Sequence, residues 1–367
     1  MITTFKDLYE KKFFANFSES KNICKKFPFH FGQPKLFYGT LMFLTKYSLP
    51  GDYFVYPGAA PGYGTGILAK YFPDVQFELW DPLKIEVSGP NIKTYRRLFD
   101  NEAAKHYGIL QEQWNTTNNS SLIDENEVSN VFGGNDDDND IIDGGRRSKN
   151  RSNNAITGKR IILICDIRNT DMEKAKRRKD WEWMDNIVEN DMKFQLEWCR
   201  LIRPSIAMLK FRCPYYRDIN YPKGILYLQP YNKPGNEMRL VLTDYDTEVT
   251  YPHKMIEGRM SALNIARCSK YSKRNTNDNY DFQLYDENDP EIIAWKEIIR
   301  KEKIVENWDN LFALNIIYEF LNSPRNTTVE DKSRQNACII FKEIVDKLSR
   351  MMFDKDDSRY SAMFIKN

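Results

Sequence analysis

Histidine is scarce in this chain of 367 residues, with only His30, His106 and His253, and the six cysteines at 24, 165, 199, 213, 268 and 338 include no C-x-x-C pair. Without ligands at finger or ribbon spacing a structural zinc is not expected, nor is a disulfide framework, and a reducing compartment is the natural setting. No apolar run approaches the roughly 18–20 residues of a membrane span. The opening MITTFKDLYEKKFF lacks the apolar core of a signal peptide, so export is not expected. A phosphate-cradling G-x-x-x-x-G-K-[ST] sequence is missing too. What is plentiful is core material: 41% of residues are apolar and 14% aromatic, which excludes a disordered or collagen-like chain. The length suits one large domain or two ordinary ones.

Net charge is also slight, at +2 from 54 basic and 52 acidic residues. That balance conceals an uneven distribution. Residues Asn115 to Gly158 hold eight acids against four bases, a net of −4, which leaves +6 for everything else. The segment carries ten Asn and two Gly-Gly pairs with little periodic hydrophobicity, so it cannot offset its own ordering entropy by burial. It is expected to be a disordered insertion. It is expected to be a solvated loop without a role; the alternatives are that its acid block docks on a basic partner or folds back over a basic groove and competes with an anionic ligand.

Around the insertion, strands alternate with helices. Helices are expected over Leu36–Tyr47, Gly64–Tyr71, Glu102–Leu110, Asp180–Leu201 and Met255–Ala266. Strands are expected at Tyr53–Tyr56, Val75–Trp80, Ile92–Tyr95, RIILICDI, SIAMLKF, GILYLQP and EMRLVLT. The near-continuous apolar runs of several strands suit a buried parallel sheet covered on both faces. From Pro290 onward the pattern is helical (291–304, 308–321, 328–352), giving helices that cover the sheet or present a partner surface.

The strongest local signal is DYFVYPGAAPGYGTGILAKYF, a strand running into a glycine-rich turn and then a helix. Gly58, Gly62 and Gly64 would let a ligand approach the backbone, and the helix start offers free N–H groups. Asp81 lies 23 residues beyond Gly58 at the end of the next strand, where an acid accepts from ribose hydroxyls in nucleoside folds. Pro61 interrupts a G-x-G-x-x-G pattern, and a G-x-x-P-G turn suits a cofactor without pyrophosphate, favouring S-adenosylmethionine over a nicotinamide dinucleotide. A second constellation is spread over four segments: Lys35 in FGQPKL, Asp166 closing LICD, Lys210 in MLKF and Glu237 in GNEMRL. An acid at the end of a wholly apolar strand is costly unless the site is open or the acid is paired, which singles out Asp166.

The pieces FGQPKL, YPGAAPG, CDIR, LKFRCPY and YLQPYNKPGNEMRL, in this order, resemble the poxvirus cap-specific mRNA (nucleoside-2′-O)-methyltransferases, a family that doubles as the processivity subunit of the viral poly(A) polymerase. The resemblance spans about Phe27 to Asn264 and is that of a distant relative from another large DNA virus. It implies a Rossmann-like S-adenosylmethionine-dependent methyltransferase fold with a helical C-terminal extension. In domain terms, residues 1–34 contribute to a cap pocket, 35–270 form the methyltransferase domain and 271–367 the extension. The implied activity is methylation of the ribose 2′-OH of the first transcribed nucleotide of capped mRNA. Implied partners are the capped 5′ end and the poly(A) polymerase catalytic subunit, without membrane or metal, in the virion and the host-cell cytoplasm. A non-catalytic RNA-binding subunit that stimulates the polymerase is the alternative.

The family's catalytic Lys-Asp-Lys-Glu tetrad falls on Lys35, Asp166, Lys210 and Glu237. A ribose hydroxyl is a poor nucleophile and the sulfonium methyl is already activated, so the chemistry needs in-line alignment and a way to steer a proton. Lys210, crowded by the ammonium of Lys35, is the expected base, with Asp166 and Glu237 orienting the two amines; the titration belongs to the coupled cluster. Gln33, Gly58, Ala60, Pro61, Gly62 and Asp81 match cofactor-holding positions, and Leu98 and Phe99 match the segment over the adenine. The family stacks its methylated guanine between two aromatics, a mode suited to a cationic base. Tyr215 matches one and Phe17 is chosen for the other, with Phe14 as second choice. Of two acids that read the guanine edge, Glu257 matches one; at the other position stands Arg217, followed by Asp218. Arg168 and the basic run at Lys174, Lys176, Arg177, Arg178 and Lys179 are expected to meet RNA phosphates.

Overall fold

The structure, a computed structural model, describes residues 1–24, 32–118, 158–167, 181–269 and 282–352. Arg168, the basic run 174–179 and residues 119–157 of the insertion lie outside the described residues. Two short helices that sequence periodicity did not reveal open the chain, α1 (Phe5–Glu10) and α2 (Phe17–Ile23). α1 starts at Thr4, whose hydroxyl accepts from the Asp7 N–H while the Asp7 carboxylate accepts from the Thr4 N–H, a reciprocal cap that lets a six-residue helix persist. After α3 (Gly32–Tyr47) come β1 (Tyr53–Pro57), α4 (Tyr63–Tyr71), β2 (Gln76–Trp80) and β3 (Ile92–Tyr95). Then follow α5 (Asn101–Asn118), β4 (Ile161–Cys165), α6 (Trp181–Ile202) and β5 (Ile206–Arg212). α5 is two turns longer than its apolar pattern suggested. It carries Asn115–Asn118, so the first residues assigned to the insertion are helical.

Beyond β5 lie β6 (Ile219–Pro222), β7 (Ile225–Tyr227), β8 (Glu237–Leu242) and β9 (Glu248–Tyr251), then α7 (His253–Ser269), α8 (Pro290–Lys301), α9 (Trp308–Asn322) and α10 (Arg334–Met352). Seven strands form one sheet in the order β3-β2-β1-β4-β5-β8-β7, while β6 and β9 pair separately. β1 to β5 run parallel, and β8 enters antiparallel to both β5 and β7. The chain is therefore mixed α/β with a mostly parallel sheet. β4 is buried along its whole length, as its IILIC run requires, because helices pack on both faces.

Strand order reverses between β1 and β4, and in open α/β sheets the crevice at the carboxyl ends of such strands takes the ligand. Gly58 follows β1 there and Asp166 follows β4, with the Asp166 N–H donating to the Pro57 carbonyl at 3.2 Å.

The tail helices share the core of the sheet body. Residues from Ile2 to Leu348 belong to one contiguous apolar cluster, and α9 packs on α3 while α10 packs on α9, α3 and α4. α9 is apolar almost all round, and Leu311, Leu314, Ile316 and Leu321 are all buried. Each such side chain is worth about 1.5–3 kcal/mol on burial. Arg325, just past α9, reaches back as a fork to Asp74 (2.9 and 2.6 Å) and to Ser48, pinning the tail to the loops below the sheet.

No helix among the described residues is long and apolar enough to cross a membrane, and no group of three or more His, Cys, Asp or Glu is placed to hold a metal. All six cysteines carry free thiols.

Candidate active site

Four charged side chains from four separate elements meet at the switch point. Lys35, on the first turn of α3 and only 3% exposed, donates to Glu237 Oε1 at 2.5 Å. Lys210, on β5, lies 3.2 Å from Asp166 Oδ1. A fifth residue, absent from the sequence reading, completes the cluster. Arg239 stands opposite Lys210 in the β5–β8 register, is 1% exposed, and donates from Nη2 to Asp166 Oδ1 at 2.9 Å. The signal was present in EMRLVLT: an arginine inside an otherwise apolar strand buried on both faces demands an acid partner.

Electrostatics follow from burial and neighbours. Burial by itself pushes the Asp166 carboxyl up, but Arg239, then Lys210 and Lys35, outweigh it and hold the group at about 2. Glu237 behaves alike: burial raises it, and Lys35, Lys210 and Arg239 together keep it well below the usual carboxylate range. For Lys35 burial is the largest influence and pushes the ammonium down, against the pull of Glu237 and Asp166. Both carboxylates are thus charged at neutral pH, and burial loosens the hold on the Lys35 proton.

The glycine turn lies directly against this cluster. Gly58 has φ +82°, and a Cβ there would come within 2.9 Å of the Asp166 carbonyl carbon and oxygen. Both the backbone conformation and the space admit only glycine. Gly58→Ala is accordingly expected to separate β1 from the Asp166 turn and to cost roughly 2 kcal/mol or more of stability. Chemical denaturation of the two proteins measures it, and an unchanged midpoint would contradict the packing described. Gly62 caps α4 at φ +81° with Val87 close above it.

Asp81 accepts from the Ala60 N–H at 3.0 Å and from the Leu83 N–H at 2.9 Å, so it pins the turn. A carboxylate offers about four acceptor sites, which leaves room for a ribose hydroxyl as well. Between α3 and the turn lies a narrow cleft, lined by Gln33, Phe37, Tyr56, Ala59, Gly62 and Thr65 among others. Leu98 is 68% exposed on the same side of the sheet as β2 and β3 end. Phe99 is 7% exposed and sits inside an aromatic cluster, edge-on to Trp80 and Trp198 and stacked on Tyr107. Its ring is a core ring, and only its backbone can meet a ligand.

The aromatic pair singled out in the sequence is brought together. The rings of Phe17 on α2 and Tyr215 lie 5.3 Å apart at 47°. A third ring between them needs about 7 Å, so the pair is closed and must part to admit a base. Phe14 instead lies over Gly258 on α7, where a Cβ would touch its ring. Arg217 turns away to Glu189 (2.6 Å) and Asn186 (2.5 Å), and Asp218 to His253 (2.6 Å), so neither supplies an acid at Tyr215.

The acid there is Asp185 of α6, fully buried, which the sequence reading missed. Its Oδ2 accepts from the Tyr215 N–H at 2.8 Å. Its Oδ1 has no hydrogen-bond partner among the described residues, the nearest cation being Arg212 Nη2 at 3.8 Å. Burial pushes both Asp185 and Glu257 up, and the Asp185 charge raises Glu257 further. Arg212 lies over the Tyr215 ring at 4.8 Å. Asp185 was findable in principle, because it falls on the apolar stripe of α6 with Val188, Met192, Leu196 and Cys199, where an acid needs a reason. No protein-family model matches the chain, and no curated protein matches it.

Proposed function

We propose that the chain is an S-adenosylmethionine-dependent methyltransferase that methylates the ribose 2′-OH of the first transcribed nucleotide of capped mRNA. The observation that carries this reading is the convergence of Lys35, Asp166, Lys210 and Glu237 at the switch point, against the glycine turn that would hold the cofactor. S-adenosylmethionine supplies an electrophilic methyl. The residues of this chain would supply everything else: Asp81 and the turn backbone hold the nucleoside, Gln33 closes the cleft, and Lys210 meets the ribose hydroxyl. The Lys35–Glu237 pair fixes one side of the site and Arg239 fixes Asp166 on the other. A nicotinamide oxidoreductase is disfavoured by Pro61 and by the antiparallel β8 standing where a dinucleotide-binding sheet has a sixth parallel strand.

Phe17 and Tyr215 fit a stacked, positively charged methylated guanine, and Asp185 with Glu257 fit its N–H edge. Two acids that burial has made reluctant to ionise gain most when a cation enters between aromatic faces. Asp185→Asn is expected to weaken binding of a methylated cap analogue by about tenfold or more, the value of a charge-assisted hydrogen bond. Fluorescence quenching of the stacked base measures it, with unmethylated cap analogue as control; equal affinity of the two proteins would remove Asp185 from the pocket.

The resemblance also supports action at the 5′ end of viral messages in the host cytoplasm, alongside a viral poly(A) polymerase. Calorimetry with S-adenosylmethionine and with short capped RNA tests the proposal. Binding of neither sinks it. Binding of RNA without any methyl transfer makes the polymerase-stimulating role the leading one.

A further inference from the structure

The loop between β7 and β8 delivers Glu237 to Lys35, and it is held from outside the sheet by the first turn of α9. Tyr231 in this loop adopts φ +61°, a conformation that a bulky side chain keeps only when its surroundings impose it. Its N–H donates to Asp309 Oδ1 at 2.6 Å. Asp309 is 2% exposed, and its carboxylate also receives Arg267 of α7 through Nη2 at 2.8 Å and Nε at 3.2 Å. The same Arg267 Nη2 donates to the Asn232 carbonyl at 3.0 Å, and Asn232 Nδ2 donates to the Glu237 carbonyl at 2.7 Å. An unbroken series of hydrogen bonds thus runs from the helical extension to the backbone of Glu237.

We propose that Asp309 is a positioning residue of the reaction centre: through Arg267 and Asn232 it sets where Glu237 leaves the loop and meets Lys35. The inference rests on the reading of Lys35 and Glu237 as part of that centre. Its physical basis is that reaction centres tolerate displacements of only about 0.5 Å. A buried ion pair tied to the loop through the Tyr231 N–H and the Asn232 carbonyl is a stiffer support than a nine-residue loop could supply alone. It also assigns the C-terminal helices a place in the chemistry, as the outer brace of one of its carboxylates.

The test uses the full chain with Asp309→Asn and Asn232→Ala. The second variant leaves no buried charge unpaired and so keeps the test alive if the first folds poorly. The first readout needs no activity: the Lys35 ammonium is followed by side-chain ¹⁵N resonance as pH is raised in the unliganded protein, its signal assigned with Lys35→Arg. Loosening Glu237 withdraws the negative charge that supports the ammonium, so Lys35 is expected to lose its proton at a lower pH in both variants. A Lys35 titration unchanged or raised in the folded variants would overturn the proposal. The second readout is kinetic. A drop in kcat of about tenfold or more with KM for the cofactor within about twofold supports positioning. A loss that only tracks the folded fraction reduces Asp309 to a structural brace and overturns the proposal. If the wild type transfers no methyl, the functional reading fails while the titration still decides the coupling of Asp309 to Lys35.

Discussion

Lys210→Ala is expected to lower methyl transfer to capped RNA by about 10²–10⁴-fold while leaving cofactor affinity within a few-fold, because on the proposed reading the side chain would meet the hydroxyl and not the cofactor. Lys210 is the more exposed of the two lysines, at 12% against 3% for Lys35, and it is held from one side by Asp166 at 3.2 Å. Lys35 is sealed under Glu237. On the proposed reading this difference divides the labour: Lys210 would face the reacting hydroxyl and Lys35 would support the field around it. Lys210→Arg is expected to remain nearly inactive, since a guanidinium stays protonated and its planar fork cannot take the place of a single ammonium. Single-turnover transfer of labelled methyl measures both variants. Full activity in either would move the chemistry elsewhere.

Arg239→Met is expected to be the most destabilising change at the site. It leaves the Asp166 carboxylate buried with Lys210 as its nearest remaining cation, and breaking such a pair costs about 3 kcal/mol, the lower end of the usual range because that cation remains. The effect carries a pH signature. Asp166 is held at about 2 in the folded chain, below its value near 4 when unfolded. A depressed carboxyl contributes stability that is fully present above the unfolded value and is lost as pH falls through the folded one, here on the order of 2 kcal/mol between about pH 4 and pH 2. Without Arg239 the folded value rises, so that contribution shrinks. Urea unfolding from pH 6 downward should show the gap between wild type and Arg239→Met narrowing in acid. A gap independent of pH would mean that Arg239 stabilises by packing alone.

The sequence exposed the sheet well because buried parallel strands are written as apolar runs: Ile161–Cys165 and Ile206–Arg212 are unmistakable against their surroundings. β6 and β9 escaped because INYP and EVTY are short, partly exposed and alternate only weakly. α1 and α2 escaped because helices of six and seven residues hold too few turns for periodicity to register. In the site, Lys35, Asp166, Lys210 and Glu237 came from motifs that resemble a family, not from spacing, since 202 residues separate Lys35 from Glu237. Arg239 and Asp185 were legible only as anomalies, a cation inside an apolar strand and an acid on an apolar helix stripe. The brace at Asp309 had no local signal at all, because its meaning lies in the contact of α9 with a loop some 80 residues away.

The most direct test is to find where the methyl goes. Capped RNA is incubated with the protein and isotopically labelled S-adenosylmethionine, digested to nucleosides and cap dinucleotides, and the label located by mass spectrometry. The label is predicted on the 2′-oxygen of the first transcribed nucleotide, to depend on the cap, and to vanish when that nucleotide is 2′-deoxy. Label on a base or on the cap guanine, or none with an RNA that the protein binds, would contradict the account.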